Sequence, residues 1–169
     1  MRLHISSANL SHVPKPEIPE AHLDSWRAFL NAHASLTREI DDALAAAGLP
    51  PLGWYDVLWP LYRAPGRRLR MGELADGMVT ISRSGLTRLV DRVEAAGLLR
   101  REACAEDRRG THVVLTDEGR GMLRRMWPVY AGVIGERFVA VLDEHEAGML
   151  RDVLDRVGRP AADSAIQPA

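Results

Sequence analysis

The segment from Leu69 to Gly119 constrains this chain most, because its middle allows only one regular structure. Leu86, Leu89, Val90 and Val93 recur at steps of three and four, which places them on one face of an α-helix. Ser82 stands where an N-cap belongs, its hydroxyl free to accept an amide at the helix start, and Gly97 stands where the helix should stop. Two short β-type runs follow, Leu98–Ala103 and His112–Thr116, joined by the polar turn Glu106-Asp107-Arg108-Arg109-Gly110. Just upstream, Met71, Leu74, Ala75 and Met78 predict another short helix. Helix, turn, helix and hairpin in that order predict a helix-turn-helix with a β wing, a form that sets one helix in the major groove of duplex DNA.

Charge is divided in the same way. Residues 63–109 hold 11 Lys/Arg against 7 Asp/Glu, whereas residues 1–62 hold 4 against 7 and residues 110–169 hold 7 against 9. The net charge of −1 therefore conceals a basic middle between acidic ends, which is the segregation an electrostatic footprint on nucleic acid needs. The polar face of the helix after Ser82 carries Arg83, Ser84, Gly85, Thr87, Arg88, Asp91 and Arg92. Ser84 and Thr87 suit base edges and phosphates, Arg88 suits a bidentate guanine contact, Arg83 suits a phosphate, and Gly85 leaves room for close approach. At the wing, Arg108 and Arg109 suit a narrow, negative minor groove, with the Asp107 carboxylate aiming Arg109 across the turn. Arg67, Arg68, Arg70, Arg100 and Arg101 are secondary candidates for phosphate.

Around this lobe lie three helices with wide apolar stripes. The first runs from about residue 21 to 47, with Leu23, Trp26, Leu30, Ile40 and Leu44 in phase, and Gly48 and Pro50-Pro51 close it. Within the lobe itself, Trp54, Val57, Leu58, Leu61 and Tyr62 mark a second helix that contains Pro60. A fifth runs from about Asp117 to Val141 across Pro128, which should kink it, and a sixth from about Asp143 to Val157 buries Leu150, Val153, Leu154 and Val157. Apolar stripes left in water are unfavourable by about 25 cal/mol per Å2, so a second copy of the chain is the expected cover, the alternative being that all three helices cover their own subunit's core; a two-fold pair matches a palindromic operator. The expected organisation is a loose proline-bearing arm over residues 1–20, one domain over 21–158 and a disordered tail over 159–169. Within the domain, about 21–47 and 117–157 form the dimerisation layer and about 53–116 the DNA-binding lobe. The fold class is mainly α with a small β-hairpin wing.

Several function classes are excluded by what is missing. No Gly-rich phosphate loop follows a strand, no nucleophile elbow occurs, and His4, His12, His22, His33, His112 and His145 are scattered without ligand spacing. Neither an enzyme, a cofactor nor a metal is expected. No run approaches the ~20 apolar residues of a membrane span. The start of the chain lacks a signal-peptide core, and the lone Cys104 fits a reducing cytoplasm.

The combination Leu-Arg-Met-Gly-Glu-Leu-Ala, Ser-Arg-Ser-Gly-Leu-Thr-Arg-Leu-Val-Asp-Arg, Glu-Ala-Ala-Gly-Leu, Arg-Arg, Asp-Arg-Arg-Gly and Leu-Thr-Asp-Glu-Gly resembles the MarR family of bacterial winged-helix regulators. The resemblance covers about residues 21–158. It implies a homodimer held by the terminal helices, a recognition helix at Ser82–Ala96 and a wing at Ala103–Thr111. Family DNA contacts carry over to Ser84, Gly85, Thr87 and Arg88, and the wing Asp-x-Arg to Asp107 and Arg109. It further implies repression of nearby genes, relieved by a small molecule or an oxidant. For an aromatic effector, His33, Trp54, Tyr55, Trp59, Tyr62, Trp127 and Tyr130 are the candidate lining, with Arg63 or His33 to meet a carboxylate. The competing readings are a winged-helix module that binds protein, and a redox regulator acting through Cys104, whose thiolate Arg101 and Arg108 would favour.

Overall fold

Helices in this chain repeatedly begin where a side chain supplies a missing acceptor. The computed structural model describes residues 18–78, 81–103 and 110–158. Its elements are α1 (Glu20–Ala46), α2 (Leu52–Arg63), β1 (Arg68–Arg70), α3 (Met71–Asp76) and α4 (Arg83–Ala95). The strands β2 (Leu99–Ala103) and β3 (Thr111–Leu115) follow, then α5 (Asp117–Ile134), a π-helical turn (Gly135–Val139) and α6 (Glu144–Gly158). Contacts divide the chain into two units, one ending at Ser35 and one beginning at Leu36.

In the first unit, the opening turns of α1 are tied locally. The Ser25 hydroxyl donates to the Ala21 carbonyl at 2.8 Å, and Arg27 bridges Glu20 at 3.3 Å and Asp24 at 3.0 Å. Trp26, Phe29 and Leu30 stay exposed.

In the second unit the caps come from near and far. Asp41 in α1 accepts the Leu52 amide at 2.7 Å, which caps α2 where Pro51 offers no side-chain acceptor. Ser82 accepts from the Gly85 amide at 3.1 Å, as its position before the apolar run predicts. Thr116 accepts from the Gly119 amide at 3.0 Å while its own hydroxyl donates to the Gly97 carbonyl at 2.8 Å. Asp143 and Glu146 cap each other's amides ahead of α6, at 2.8 and 3.0 Å.

The core forms beneath α4. Leu86, Leu89, Val90 and Val93 are all buried, together with Ile40 and Leu44 of α1, Tyr55, Val57, Leu58 and Leu61 of α2, and Leu74 of α3. Leu99, Val113 and Leu115 of the sheet and Leu123 and Met126 of α5 complete it. The α4–β2 turn is held against α5 at short range. Gly97 adopts φ +75°, the left-handed region that favours glycine, and the Leu98 carbonyl accepts the Thr116 amide at 3.2 Å. A methyl group on Gly119 would lie 2.1 Å from that same carbonyl oxygen, so the approach of α5 requires glycine there.

Three expectations need correction. The sheet has three antiparallel strands in the order β1-β3-β2, because Arg68–Arg70, assigned to no element in the sequence, pairs with β3 in the register Arg68 to Val114 and Arg70 to His112. Helix α5 ends at Ile134 rather than Val141, and the chain passes into a π-helical turn whose Ala140 amide donates to the Gly135 carbonyl at 3.0 Å. It continues through Pro128 without interruption. In α6, no residue is buried within the subunit: Val153, Leu154 and Val157 keep 44%, 37% and 70% of their surface. Of the arm expected at residues 1–20, residues 1–17 lie outside the described residues, as does the tail expected at 159–169, and Glu20 already begins α1.

Candidate nucleic-acid interface

With its apolar face sunk in the core, α4 presents the opposite face outward. Ser82, Arg83, Ser84, Thr87, Arg88 and Arg92 are all exposed. Their near partners are local. Arg83 reaches Asp76 at 3.4 Å, the Ser84 and Ser82 hydroxyls stand 3.3 Å apart, and the Arg88 Nε–H donates to the Ser84 carbonyl at 3.4 Å. Thr87 donates its hydroxyl to the Arg83 carbonyl at 3.0 Å, which leaves its oxygen as an acceptor and its methyl outward. Gly85 is half-buried, and a Cβ there would meet Ile81 Cγ1 at 3.0 Å and Ser82 Oγ at 3.1 Å. Its lack of a side chain thus serves the cap and the packing of Ile81, a reason the sequence did not disclose.

The secondary arginines divide into groups once they are placed. Arg100 pairs with Glu102 at 2.7 Å on its own strand, and Arg67, at φ +55°, stands 3.7 Å from Asp117. Arg101 is the most engaged. Its backbone amide donates to Glu94 Oε1 at 2.7 Å, its Nη1 meets Glu94 Oε2, and its Nη2 meets Asp91 Oδ1 at 2.7 Å. Partial desolvation would lower the basicity of Arg101, but hydrogen bonds to Asp91 and Glu94 outweigh it and raise the pKa above the ordinary value. Asp91 and Glu94 carried no expected role. Their signal was only two acids on the final turns of an otherwise basic helix. Cys104, Asp107, Arg108 and Arg109 lie outside the described residues.

A second constellation lies between α2 and α5. Tyr55 stacks on Tyr130 with centroids 5.0 Å apart and on Trp59 at 5.7 Å, and Trp59 continues to Tyr62 at 5.7 Å and to Trp127 at 6.3 Å. Five of the seven residues expected to line an aromatic pocket thus form one ladder of rings. It runs from the buried Tyr55 to the half-exposed Trp127. Trp54 packs on the core instead, and His33 lies in the first unit, its ring 6.4 Å from Phe29. The Arg63 guanidinium already sits 5.9 Å from the Trp59 centroid. Beside the ladder, desolvation and the neighbouring Asp41 charge push Asp56 up to about 6. Burial, then the charges of Tyr130 and Asp56, push Tyr55 up to about 12, and burial with Asp56 also raises Tyr130. A separate open cleft of about 710 Å3 is lined by Tyr62, Arg67, Arg100, Thr116, Asp117 and Glu118 among others; Arg67 pairs with Asp117 inside it, while Arg100 pairs with Glu102 outside the lining.

Comparison with known proteins fits this geometry. The family model described as MarR family matches residues 47–110, which spans α2 to the hairpin. The HTH-type transcriptional regulator MhqR of Bacillus subtilis is 33% identical over 139 residues, 82% of this chain and 92% of that protein. The chain belongs to the MarR family. Two MarR family transcriptional regulators of Streptomyces coelicolor share its fold. Sco3205, whose crystal structure is in complex with DNA, is 32% identical with a TM-score of 0.78, over 89% of this chain and 97% of its own. AbsC is 29% identical with a TM-score of 0.76, over 85% and 95%. The mainly helical winged fold read from the sequence is the MarR fold, and these MarR relatives are transcriptional regulators rather than enzymes. Among the described residues no helix is long and apolar enough to cross a membrane, and no group of three His, Cys, Asp or Glu side chains is placed to hold a metal ion.

Proposed function

We propose that this chain is a sequence-specific regulator of duplex DNA, a homodimeric repressor that sets two copies of α4 into successive major grooves of a palindromic operator. The observation that carries the reading is the division of α4 itself. Four aliphatic side chains lock one face, while Arg83, Ser84, Thr87, Arg88 and Arg92 stand exposed on the other. A helix held that firmly presents its polar residues in fixed directions, which is what base reading requires. Arg88 takes the role of the guanine reader, Arg83 and Arg92 those of phosphate contacts, and Asp107, Arg108 and Arg109 those of the wing in the minor groove. Exposed Met149, Val153, Leu154 and Val157 on α6, with Trp26, Phe29 and Leu30 on the first turns of α1, support a second copy as the cover.

Release is assigned to a small aromatic or phenolic ligand that enters the ring ladder between α2 and α5. The local charge favours a neutral phenol over an aromatic acid. Asp56 faces the ladder with a carboxylate, and the Arg63 guanidinium is already engaged with Trp59.

The test uses a duplex selected by the wild-type protein from a random-sequence pool. Arg88→Ala should lose about 1–3 kcal/mol of discrimination at one base pair of each half-site. Wild-type affinity should fall steeply as salt is raised, because bound counterions are released on association. Arg88→Ala binding with wild-type base preference sinks the assignment, and a flat salt response favours a protein partner for the same face.

A further inference from the structure

The wing of a winged helix is useful to DNA binding only if its angle to the recognition helix is fixed, and the turn between the two is an unpromising hinge. Helix α4 closes through Gly97, whose amide donates to the Glu94 carbonyl at 2.8 Å, and β2 leaves from it two residues later. A glycine at a left-handed φ permits that direction change without enforcing it. Among the described residues, strand β2 is also an edge strand, paired on one side with β3 and on the other with no strand. Its outward amides need partners from elsewhere.

Resting on the reading of α4 and the hairpin as the DNA-contacting parts, we infer that Arg101 is a positioning residue: it braces β2 against α4 through Glu94 and Asp91 and so fixes the wing relative to the recognition helix. Three contacts, each on a different donor, converge here. The Arg101 amide and Nη1 take the two oxygens of Glu94, and Nη2 takes Asp91 Oδ1 at 2.7 Å. Glu94 is gripped at both oxygens by one residue, so its carboxylate cannot rotate without breaking the hydrogen bond donated by the Arg101 amide. Asp91 and Glu94 lie one turn apart on α4, and a planar guanidinium spans them where an ammonium cannot. Isolated exposed ion pairs contribute little, but this one joins a backbone donor to two carboxylates, with Arg101 and Glu94 about 28% and 33% exposed. The alternative role for Arg101, a phosphate clamp, fits poorly. With two acids and one base the cluster carries a net negative charge, which repels a phosphate.

The experiment compares Arg101→Ala, Arg101→Lys, Glu94→Gln and the Arg101→Ala/Glu94→Gln pair on the duplex selected by the wild-type protein. Affinity is measured across a salt series, and each complex is mapped by hydroxyl-radical and guanine-methylation footprints. A brace predicts that Arg101→Ala and Glu94→Gln each weaken binding, by roughly tenfold at most, and that the pair loses no more than the worse single variant, because members of one network are non-additive. The salt slope stays at the wild-type value, minor-groove protection by the wing fades while guanine protection under α4 persists, and Arg101→Lys restores little. A slope that falls by about one phosphate contact on Arg101→Ala, with full rescue by Arg101→Lys and wild-type binding by Glu94→Gln, overturns the brace in favour of a phosphate contact. A wild-type protein that selects no duplex at all overturns the DNA reading itself, and the brace with it.

Discussion

Helices α4 and α6 are written with nearly the same spacing of aliphatic residues, yet α4 buries every one of its stripe and α6 buries none. The difference lies in what each packs against. Leu86, Leu89, Val90 and Val93 share one buried cluster with residues of α1, α2, α3, the sheet and α5, so the winged lobe is stable on terms set by one chain. Met149, Val153, Leu154 and Val157 stay exposed among the described residues, and under the proposed pairing with a second copy the stability they provide would depend on concentration. An amphipathic pattern therefore announces that a face will be covered and leaves open by whom.

The contrast is broken most directly at Gly119. Gly119→Ala forces a methyl into the Leu98 carbonyl, and the lobe should lose at least about 3 kcal/mol in urea unfolding. A cost below about 1 kcal/mol would mean that α5 does not seat on the α4–β2 turn as tightly as drawn.

At α6, Leu154→Glu should leave the unfolding of the lobe within about 0.5 kcal/mol of wild type at low protein concentration, as surface changes do. In sedimentation, the same substitution should shift the protein toward the 18.7 kDa single chain. If the wild-type protein already sediments as one chain, the two helices differ for some reason other than a partner.

The smallest effect sharpens the account of the lobe's own periphery. Asp56 has its folded pKa raised from 3.8 to about 6, so the folded state holds the proton more tightly than the unfolded chain does. Its contribution is complete below pH 3.8 and is lost as pH rises through about 6. Wild type minus Asp56→Asn, compared by urea unfolding at pH 5 and pH 7.5, should show the wild type gaining relative stability at the lower pH. An identical difference at both values removes the carboxylate from the ladder's surroundings.

Much of the lobe was legible because its signals are local. Ser82, Gly97 and the four buried positions of α4 lie within one stretch of chain, and each acts on neighbours a turn away. What could not be read depends on pairing across distance. Arg68-Leu69-Arg70 is too short and too basic to announce a strand, and only the register with Val114 and His112 makes it one. Arg101 reads as one more cation in a basic region until α4 turns Glu94 and Asp91 toward it. Gly85 reads as space for DNA until Ile81 occupies the space inside. The ring ladder was legible residue by residue from α2 and α5, but its exclusion of Trp54 follows only from how the helices roll together.

One consequence of that ladder is practical. The indoles of Trp59 and Trp127 stand 6.3 Å apart and 6° from parallel, close enough to exchange excitation and to quench according to their spacing. Half of the four tryptophans in the chain thus form a built-in optical gauge across the α2–α5 seam. Whatever wedges those helices apart, or slips between the rings, should announce itself as a change in native emission, with no dye attached.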